Sequence, residues 1–587
     1  MKFLRNLLAS ILGCLVAFGV LFFMLLIFVA LAGSQEKTIT VSSNSILEIR
    51  IDEPLKDYGG RFDFTDFGIK FEKYDGLNHI LEAIKKAKTD DNIKGISIRS
   101  NYLPAGMAQV RAIREAIQDF KTSGKFVYAY GDFYSQKNYY LASVADSVFV
   151  NPVGDIDFKG LASEVLFFKD LQEKSGVKFE VIRHGKYKSA VEPFLDNKMS
   201  PENREQISEL LHSVWGTMLE DIAANRGVQA DALNVIADNL EARTPPKALE
   251  ARLVDRIAYV DEYETSLKKA GGLAEDEELK YIRTEEYAEH VARKNKKAGK
   301  NRIAVIYAEG DIVYGEGNKD YVGQGIITKA LKEAREDDKV RAIVLRINSP
   351  GGSALASDII WREVEITKKE KPVVVSMGNL AASGGYYIAA GADRIFAEPN
   401  TITGSIGVFG MLPNFKQLAD RWGINAEQVV TNKQAQGYSV FEPLSDEYRE
   451  VTKEGIENIY NTFIGHVAKG REMDVDEVDS IAQGRVWSGR EALEIGLVDE
   501  IGGLGDAVKY AAETVGAKEY TVENYPVYTT SMDEIVDKFI GVSVRQSKEH
   551  MLKEEIGEEA YRILQKIKVL SQQKGVQARL PFELIVR

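Results

Sequence analysis

Residues Lys371–Gly410 read KPVVVSMGNLAASGGYYIAAGADRIFAEPNTITGSIGVFG, and this stretch decides the fold. A β-branched run, Val373 to Val375, stops at Met377-Gly378-Asn379, and a helical run begins at Ser383, which lies between two alanines and two glycines. A serine at a strand-to-helix corner among small residues leaves room for a substrate backbone. It also leaves backbone N–H groups accessible to an oxyanion. The same residues suit an ordinary tight turn. The rest of the chain must separate the two readings.

Outward from this stretch, strands are predicted at Ile303 to Tyr307, Ala342 to Ile347, Pro372 to Ser376 and Arg394 to Ala397. Helical spacing covers Ile326 to Glu336 and Ala354 to Lys368. Strands alternating with helices of this length imply an α/β fold, with right-handed crossovers in a largely parallel sheet. Ligands in such sheets sit beyond the carboxyl ends of the strands. Ser349-Pro350-Gly351-Gly352 and Ser383 both follow strands, so both belong at that edge.

The pattern occurs twice. Asp90-Asp91-Asn92-Ile93-Lys94-Gly95-Ile96 parallels Asp337-Asp338-Lys339-Val340-Arg341-Ala342-Ile343, and Ala248 to Asp255 parallels Ala492 to Asp499 at nearly the same offset. Two matches in register imply that whole domains correspond. The copies differ at the chemistry. Ser383 falls on Gln136, with Ser135 one position away, and Asn348-Ser349-Pro350-Gly351-Gly352 falls on Asn101-Tyr102-Leu103-Pro104-Ala105, which lacks the double glycine. Only the second copy offers a serine together with a glycine loop.

A serine hydroxyl needs a base within hydrogen-bond reach. Of the six histidines, only His466 lies in the second half outside the C-terminal tail, in a helical context without a carboxylate signature to orient it. The alternative is a lysine kept neutral by burial. The first half supplies His184-Gly185-Lys186-Tyr187-Lys188-Ser189-Ala190-Val191-Glu192-Pro193-Phe194. Aligning Glu192-Pro193 with Glu442-Pro443 puts Tyr438 opposite Lys188, so the second copy lacks this lysine. On its own, Lys188 also fits a surface lysine after a strand, and Lys186 is its nearest rival.

At 587 residues the chain exceeds one core. Its net charge of −13 argues against a general nucleic-acid partner. The single cysteine, Cys14, precludes an intramolecular disulfide. Leu7 to Gly33 carries no charge and is long enough to span a bilayer, which takes roughly 20 apolar residues. Lys2 and Arg5 precede it, placing a short tail inside and everything after about Ser34 outside. Ala30-Leu31-Ala32 resembles a cleavage site, so removal of the span is the competing expectation. Ala270 to Arg302 reads as a solvated charged connection, with contact to anionic lipid as its alternative. Met532 to Lys574 reads as a charged amphipathic helix, and Val576 to Val586 as a strand docking on a neighbour.

These residues resemble the long, duplicated form of the signal peptide peptidase A (protease IV) family of bacterial inner membranes. The specific pieces are Gly185 to Phe194, Asn348 to Gly352, Ala381-Ala382-Ser383-Gly384-Gly385-Tyr386 and Thr403-Gly404-Ser405-Ile406-Gly407. The resemblance implies tandem Clp protease/crotonase-like domains after one transmembrane helix. The expected divisions are a cytoplasmic tail at 1–6, an anchor at 7–33, repeats at 45–270 and 303–530 joined by 271–302, and a tail at 531–587. By resemblance, Ser383 is the nucleophile, Lys188 the general base and Ser405 the residue orienting the lysine. Gly352 and Gly384 form the oxyanion hole. No cofactor or metal is expected. The expected partners are peptides, chiefly released signal peptides, with the membrane and further copies of the chain in a homotetramer; the catalytic region faces the periplasm. Two other readings remain: a crotonase-type acyl-CoA enzyme using the Gly351-Gly352 loop alone, and a membrane-anchored peptide-binding scaffold. Digestion of misfolded exported proteins is the same chemistry on other substrates.

Overall fold

The computed structural model describes residues 2–34, 39–64, 69–294, 301–529 and 576–579. The amphipathic helix expected over Met532 to Lys574 lies outside them. The chain forms two compact units, Met1–Ser42 and Ser43–Arg587. The first is built on the helix Lys2–Ser34, whose described side chains include exposed Leu12, Leu15 and Phe18. The side chains of 21–23 and 25–34 lie outside the described residues, and among those described no helix is long and apolar enough to cross a membrane.

The second unit contains two largely parallel sheets of matching order. One runs Arg256–Ile257, Ser147–Val150, Phe126–Gly131, Ile93–Ile98, Ser45–Ile49, Lys280–Arg283. The other runs Glu500–Ile501, Arg394–Ala397, Val373–Ala382, Val340–Ser349, Arg302–Glu309, Thr521–Tyr525. Their central strands are rich in Val, Ile and Ala and largely buried on both faces, as parallel sheets covered by helices require. The copies also share their polar pins. Val127 N–H donates to Asp146 and Val373 N–H to Asp393, both at 2.8 Å. Val148 N–H donates to Asp255 and Ile395 N–H to Asp499, both at 2.7 Å. Arg226 clasps Asp255 as Arg471 clasps Asp499. The aspartates that end the two matched sequence stretches thus do the same work in both copies.

Two expectations need correction. The strand leading to Ser383 does not stop at Met377-Gly378-Asn379 but continues to Ala382. It changes partners there: Val374 to Met377 pair with Arg394–Ala397, and Leu380 to Ala382 with Ile402–Gly404. Gly378 is needed at the changeover, because a Cβ on it would come within 2.9 Å of Asp57 Oδ2. Second, the charged stretch 271–302 is no mere connection. It holds the sheet-edge strand Lys280–Arg283 and the helix Thr284–Lys294, which buries Tyr287, Ala288 and Val291. The duplication explains this, since Thr521–Tyr525 occupies the same edge in the second sheet. Charges on the outward face concealed the apolar spacing.

A third sheet joins the copies in the order Tyr321–Gly323, Asp311–Val313, Gly351–Ser353, Val576–Arg579, Phe409–Asn414, Lys178–Arg183. Across it Lys178–Arg183 of the first copy pairs antiparallel with Phe409–Asn414 of the second over six residue pairs, from Lys178↔Asn414 to Arg183↔Phe409. Elsewhere the copies are joined by a buried ion pair, Arg346 Nε to Asp57 Oδ2 at 2.7 Å. Gln109 Nε2 donates to the other Asp57 oxygen at 2.8 Å, and Arg346 also donates to Ser376 Oγ at 2.8 Å and Met377 O at 2.9 Å. Asp57→Ala strands a buried guanidinium, and breaking a buried pair in this way costs about 3–5 kcal/mol. Urea unfolding should register a loss of that order, with a smaller one for Asp57→Asn, which keeps an acceptor for Arg346.

Candidate active site

Lys188 reaches the second copy because the strand Lys178–Arg183 delivers it there. After that strand, His184 N–H donates to Val408 O at 3.1 Å and Tyr187 N–H to Gln483 O at 2.9 Å. The chain then enters the short 3-10 helix Ser189–Phe194. Gly484 lies directly against the lysine backbone: a Cβ there would come within 2.6 Å of Lys188 N. Gly407 meets the lysine stem, with a built Cβ 3.2 Å from Lys188 Cδ. Glycine at both positions lets the lysine backbone and stem pack closely.

The Lys188 side chain is wholly buried. Its Nζ lies 2.8 Å from Ser383 Oγ, and 3.0 Å from both Ser405 O and Ser405 Oγ. These partners are all neutral. Burial therefore acts without a compensating charge and pushes the amine well below the ordinary lysine value of 10.5. A neutral amine has two N–H donors and one lone pair. Ser405 offers two acceptors, its carbonyl and its hydroxyl, which leaves the lone pair for the Ser383 hydroxyl proton.

Ser383 stands between the strand Val373–Ala382 and the helix Gly384–Ala389 with φ +56° and ψ −113°, a backbone conformation that costs a non-glycine residue about 1–3 kcal/mol. Its N–H donates to Gly404 O and its carbonyl accepts from Tyr387 N–H, each at 2.8 Å. Ser405 is also at positive φ, +50°, and its N–H donates to Arg485 O at 2.6 Å. The glycine loop lies alongside. Gly351 has φ +96° and Gly352 φ +154°, values that favour glycine. A Cβ on Gly352 would overlap Ile312 O at 2.1 Å. One on Gly351 would come within 2.6 Å of Gly384 N, so the loop and the start of the serine helix touch. Gly384 opens that helix, where N–H groups have no intrahelical partner.

The five residues expected at the site, Ser383, Lys188, Ser405, Gly352 and Gly384, are thus brought to one end of the second sheet. The rivals lie elsewhere. Lys186 is exposed over the Tyr187 ring. His466 bonds Asp358 at 3.2 Å and stacks on Trp361. In the first copy Ser135 caps the helix Gln136–Ala142, and Gln136 Oε1 accepts from Lys159 and Gly160 N–H at 2.9 and 3.1 Å. A buried amide pairs off backbone where the second copy has its serine. Tyr438, opposite Lys188, donates to Pro413 O.

The support at Gln483-Gly484 was not identified from sequence, and Gly407 was singled out only as part of the Thr403 to Gly407 piece, without its packing against the lysine. Neither glycine carries a local sign of the lysine it will face. Because unfolding exposes Lys188, it takes up a proton at any pH between the depressed folded value and 10.5. Stability therefore rises with pH across that window and levels off above it. Lys188→Met removes this contribution. In urea unfolding its stability relative to wild type should fall steadily as pH is raised from 7 toward 10; a constant difference would mean that Lys188 is charged in the folded state.

Residues 119–274 and 365–518 match the model of Peptidase family S49, and 294–403 match that of Clp protease. The chain is 36% identical over 491 residues to Protease 4 of Haemophilus influenzae, covering 81% of this chain and 79% of that protein. With Protease 4 of Salmonella typhi the identity is 39% over 478 residues, covering 80% and 76%. With the chloroplastic serine protease SPPA of Arabidopsis thaliana it is 35% over 481 residues, covering 80% and 70%.

Proposed function

Because the chain belongs to peptidase family S49 and is a serine-type peptidase on an α/β fold with a Clp protease-like domain, we propose that Ser383 is its nucleophile and Lys188 its general base. The observation that carries this is the 2.8 Å contact between Lys188 Nζ and Ser383 Oγ in a buried setting. The neutral amine takes the hydroxyl proton as Ser383 Oγ attacks the peptide carbonyl. The resulting ammonium then protonates the leaving amine. The N–H groups of Gly352 and Gly384 stabilise the tetrahedral oxyanion, each worth roughly 3–4 kcal/mol by analogy with single oxyanion donors. Ser405 holds the amine with its lone pair toward Ser383.

Membrane anchoring by the helix Lys2–Ser34 is part of the proposal. Its support is the uncharged run Leu7 to Gly33 behind Lys2 and Arg5, with the catalytic region on the periplasmic side of a bacterial inner membrane. Released signal peptides, apolar and produced at that membrane, are the substrates that suit such an enzyme. The homotetramer that the family resemblance implies is part of the proposal, and the exposed apolar side chains of Trp422, Ile424 and Val429 suit a contact with another chain.

Ser383→Ala and Lys188→Ala should each lower cleavage of a synthetic signal peptide by roughly 10⁴-fold or more. Full activity in either would overturn the dyad, and in Lys188→Ala alone would point to Lys186. Ser405→Ala removes one hydrogen bond of about 1–1.5 kcal/mol, so kcat should fall by roughly tenfold. In wild type, kcat/KM should decline as pH drops through the depressed Lys188 value, because protonation removes the lone pair.

A further inference from the structure

Ser383 and Ser405 hold the tip of the Lys188 side chain, but the amine stays between them only if its backbone does not shift. A single side chain of the first copy grips that backbone on both sides. Gln206 lies on the helix Pro201–Arg226, whose cap Ser200 is tied to the segment after the lysine by its N–H, 3.1 Å from Glu192 Oε1. Gln206 Nε2 donates to Tyr187 O at 3.1 Å and to Ser189 Oγ at 2.8 Å, the residues immediately before and after Lys188. Asn203 Oδ1 is a third acceptor, at 3.1 Å.

The other end of the same amide reaches the second copy. Gln206 Oε1 accepts from Val486 N–H at 3.3 Å. Val486 opens the strand Val486–Ser488, which pairs antiparallel with Ile402–Gly404, Val486 standing opposite Gly404. One step further along, Ser405 N–H donates to Arg485 O at 2.6 Å. The lysine segment is therefore set against the strand that leads to Ser405 through one planar amide, which donates at one end and accepts at the other. Gln206 is 1% exposed, and a buried amide is costly unless it is hydrogen-bonded. The same helix buries Ile207 and Leu210, so an apolar side chain at 206 would serve packing alone. A glutamine there serves registration.

We propose that Gln206 is a positioning residue for the lysine base: its amide fixes the backbone on either side of Lys188 relative to Ser405. The proposal rests on the Ser383–Lys188 reading. Gln206 touches no reacting atom and acts through Lys188. Without its amide the segment Tyr187–Ser189 loses its tie to Val486, the amine moves off Ser405, and water reaches it. Water favours the charged form, so the lysine then becomes a base only at higher pH.

The test is the pH profile of kcat and kcat/KM on a synthetic signal peptide, with urea unfolding to show that each variant folds. In Gln206→Leu the acid limb of kcat/KM should move up by about one pH unit, so that activity on that limb falls roughly tenfold and the deficit narrows as pH rises. The loss should fall on kcat rather than KM, because a buried amide meets no substrate. Ser189→Ala removes only the hydroxyl that Gln206 holds. It should move the limb the same way by less, and add nothing to Gln206→Leu, since partners in one network do not act additively. Ser189→Ala carries the test alone if Gln206→Leu does not fold. An unmoved limb in a folded variant, with activity unchanged or lowered equally at every pH, overturns the proposal and leaves the dyad standing. So does a double variant in which the two shifts simply add. If wild type has no acid limb, or Lys188→Ala keeps full activity, the dyad fails and the proposal with it.

Discussion

The contact between Lys188 Nζ and Ser383 Oγ is the constraint on which the rest of the molecule depends. A primary amine without solvent or a carboxylate is favoured in its neutral form, and its surroundings meet that condition. Its partners are two serines, which accept or donate without adding charge. The backbone that carries it is fixed over several residues, by the strand pairing from Lys178↔Asn414 to Arg183↔Phe409 and by the shelf at Gln483-Gly484. A more loosely held lysine would turn toward water, where the charged form is favoured, and would not suit the proposed base. The interlocked sheet between the copies keeps the lysine buried, which favours its neutral form.

Duplication makes this possible because the two copies share a scaffold and differ in what they add to it. The shared pins on Asp146 and Asp393, and on Asp255 and Asp499, hold each sheet in the same way. The differences lie at the sheet ends. Gln136 spends its amide on Lys159 and Gly160 N–H where Ser383 presents a hydroxyl. The helix Gln136–Ala142 starts from an ordinary extended Ser135 at φ −68°, whereas Ser383 is held at positive φ. The strain at Ser383 and Ser405 thus lies in the copy that carries the proposed nucleophile. The hydrogen bonds from Ser383 N–H to Gly404 O and from Ser405 N–H to Arg485 O maintain it.

Much of this was legible in the sequence, for physical reasons. Parallel strands buried on both faces write themselves as β-branched runs, so Arg302–Glu309, Val340–Ser349 and Arg394–Ala397 fell within a few residues of expectation. Small residues around Ser383 and the glycines at 351 and 352 signalled close backbone approach, while comparison of the copies left Lys188 only a candidate that the family resemblance then assigned. The missed features have partners remote in sequence. Gly378 is small because Asp57 and Arg346 meet beside it, and nothing local reports an ion pair spanning 289 positions. The strand Lys280–Arg283 was hidden by charges on its outer face. The tail strand was expected at Val576, but a short run of residues cannot name the edge it will join.

The Asp57–Arg346 pair gives the inter-copy contact a significance beyond stability. Arg346 sits on the strand leading to the glycine loop, Ser376 and Met377 sit on the strand leading to Ser383, and Asp57 belongs to the first copy. One guanidinium therefore ties the strands leading to the glycine loop and to Ser383 to the copy that carries Lys188, the proposed base. Misplacing a catalytic group by about 1 Å can cost on the order of 10²-fold in rate. Lys188 and Ser383 come from separate copies, so that tolerance must be met by the interface rather than by local chain geometry. The antiparallel pairing at Lys178–Arg183 fixes the interface near the lysine, and the ion pair fixes it at a separate point beneath the serine strand. Two separated attachments prevent a rotation that either alone would permit, and so hold the base-to-nucleophile distance.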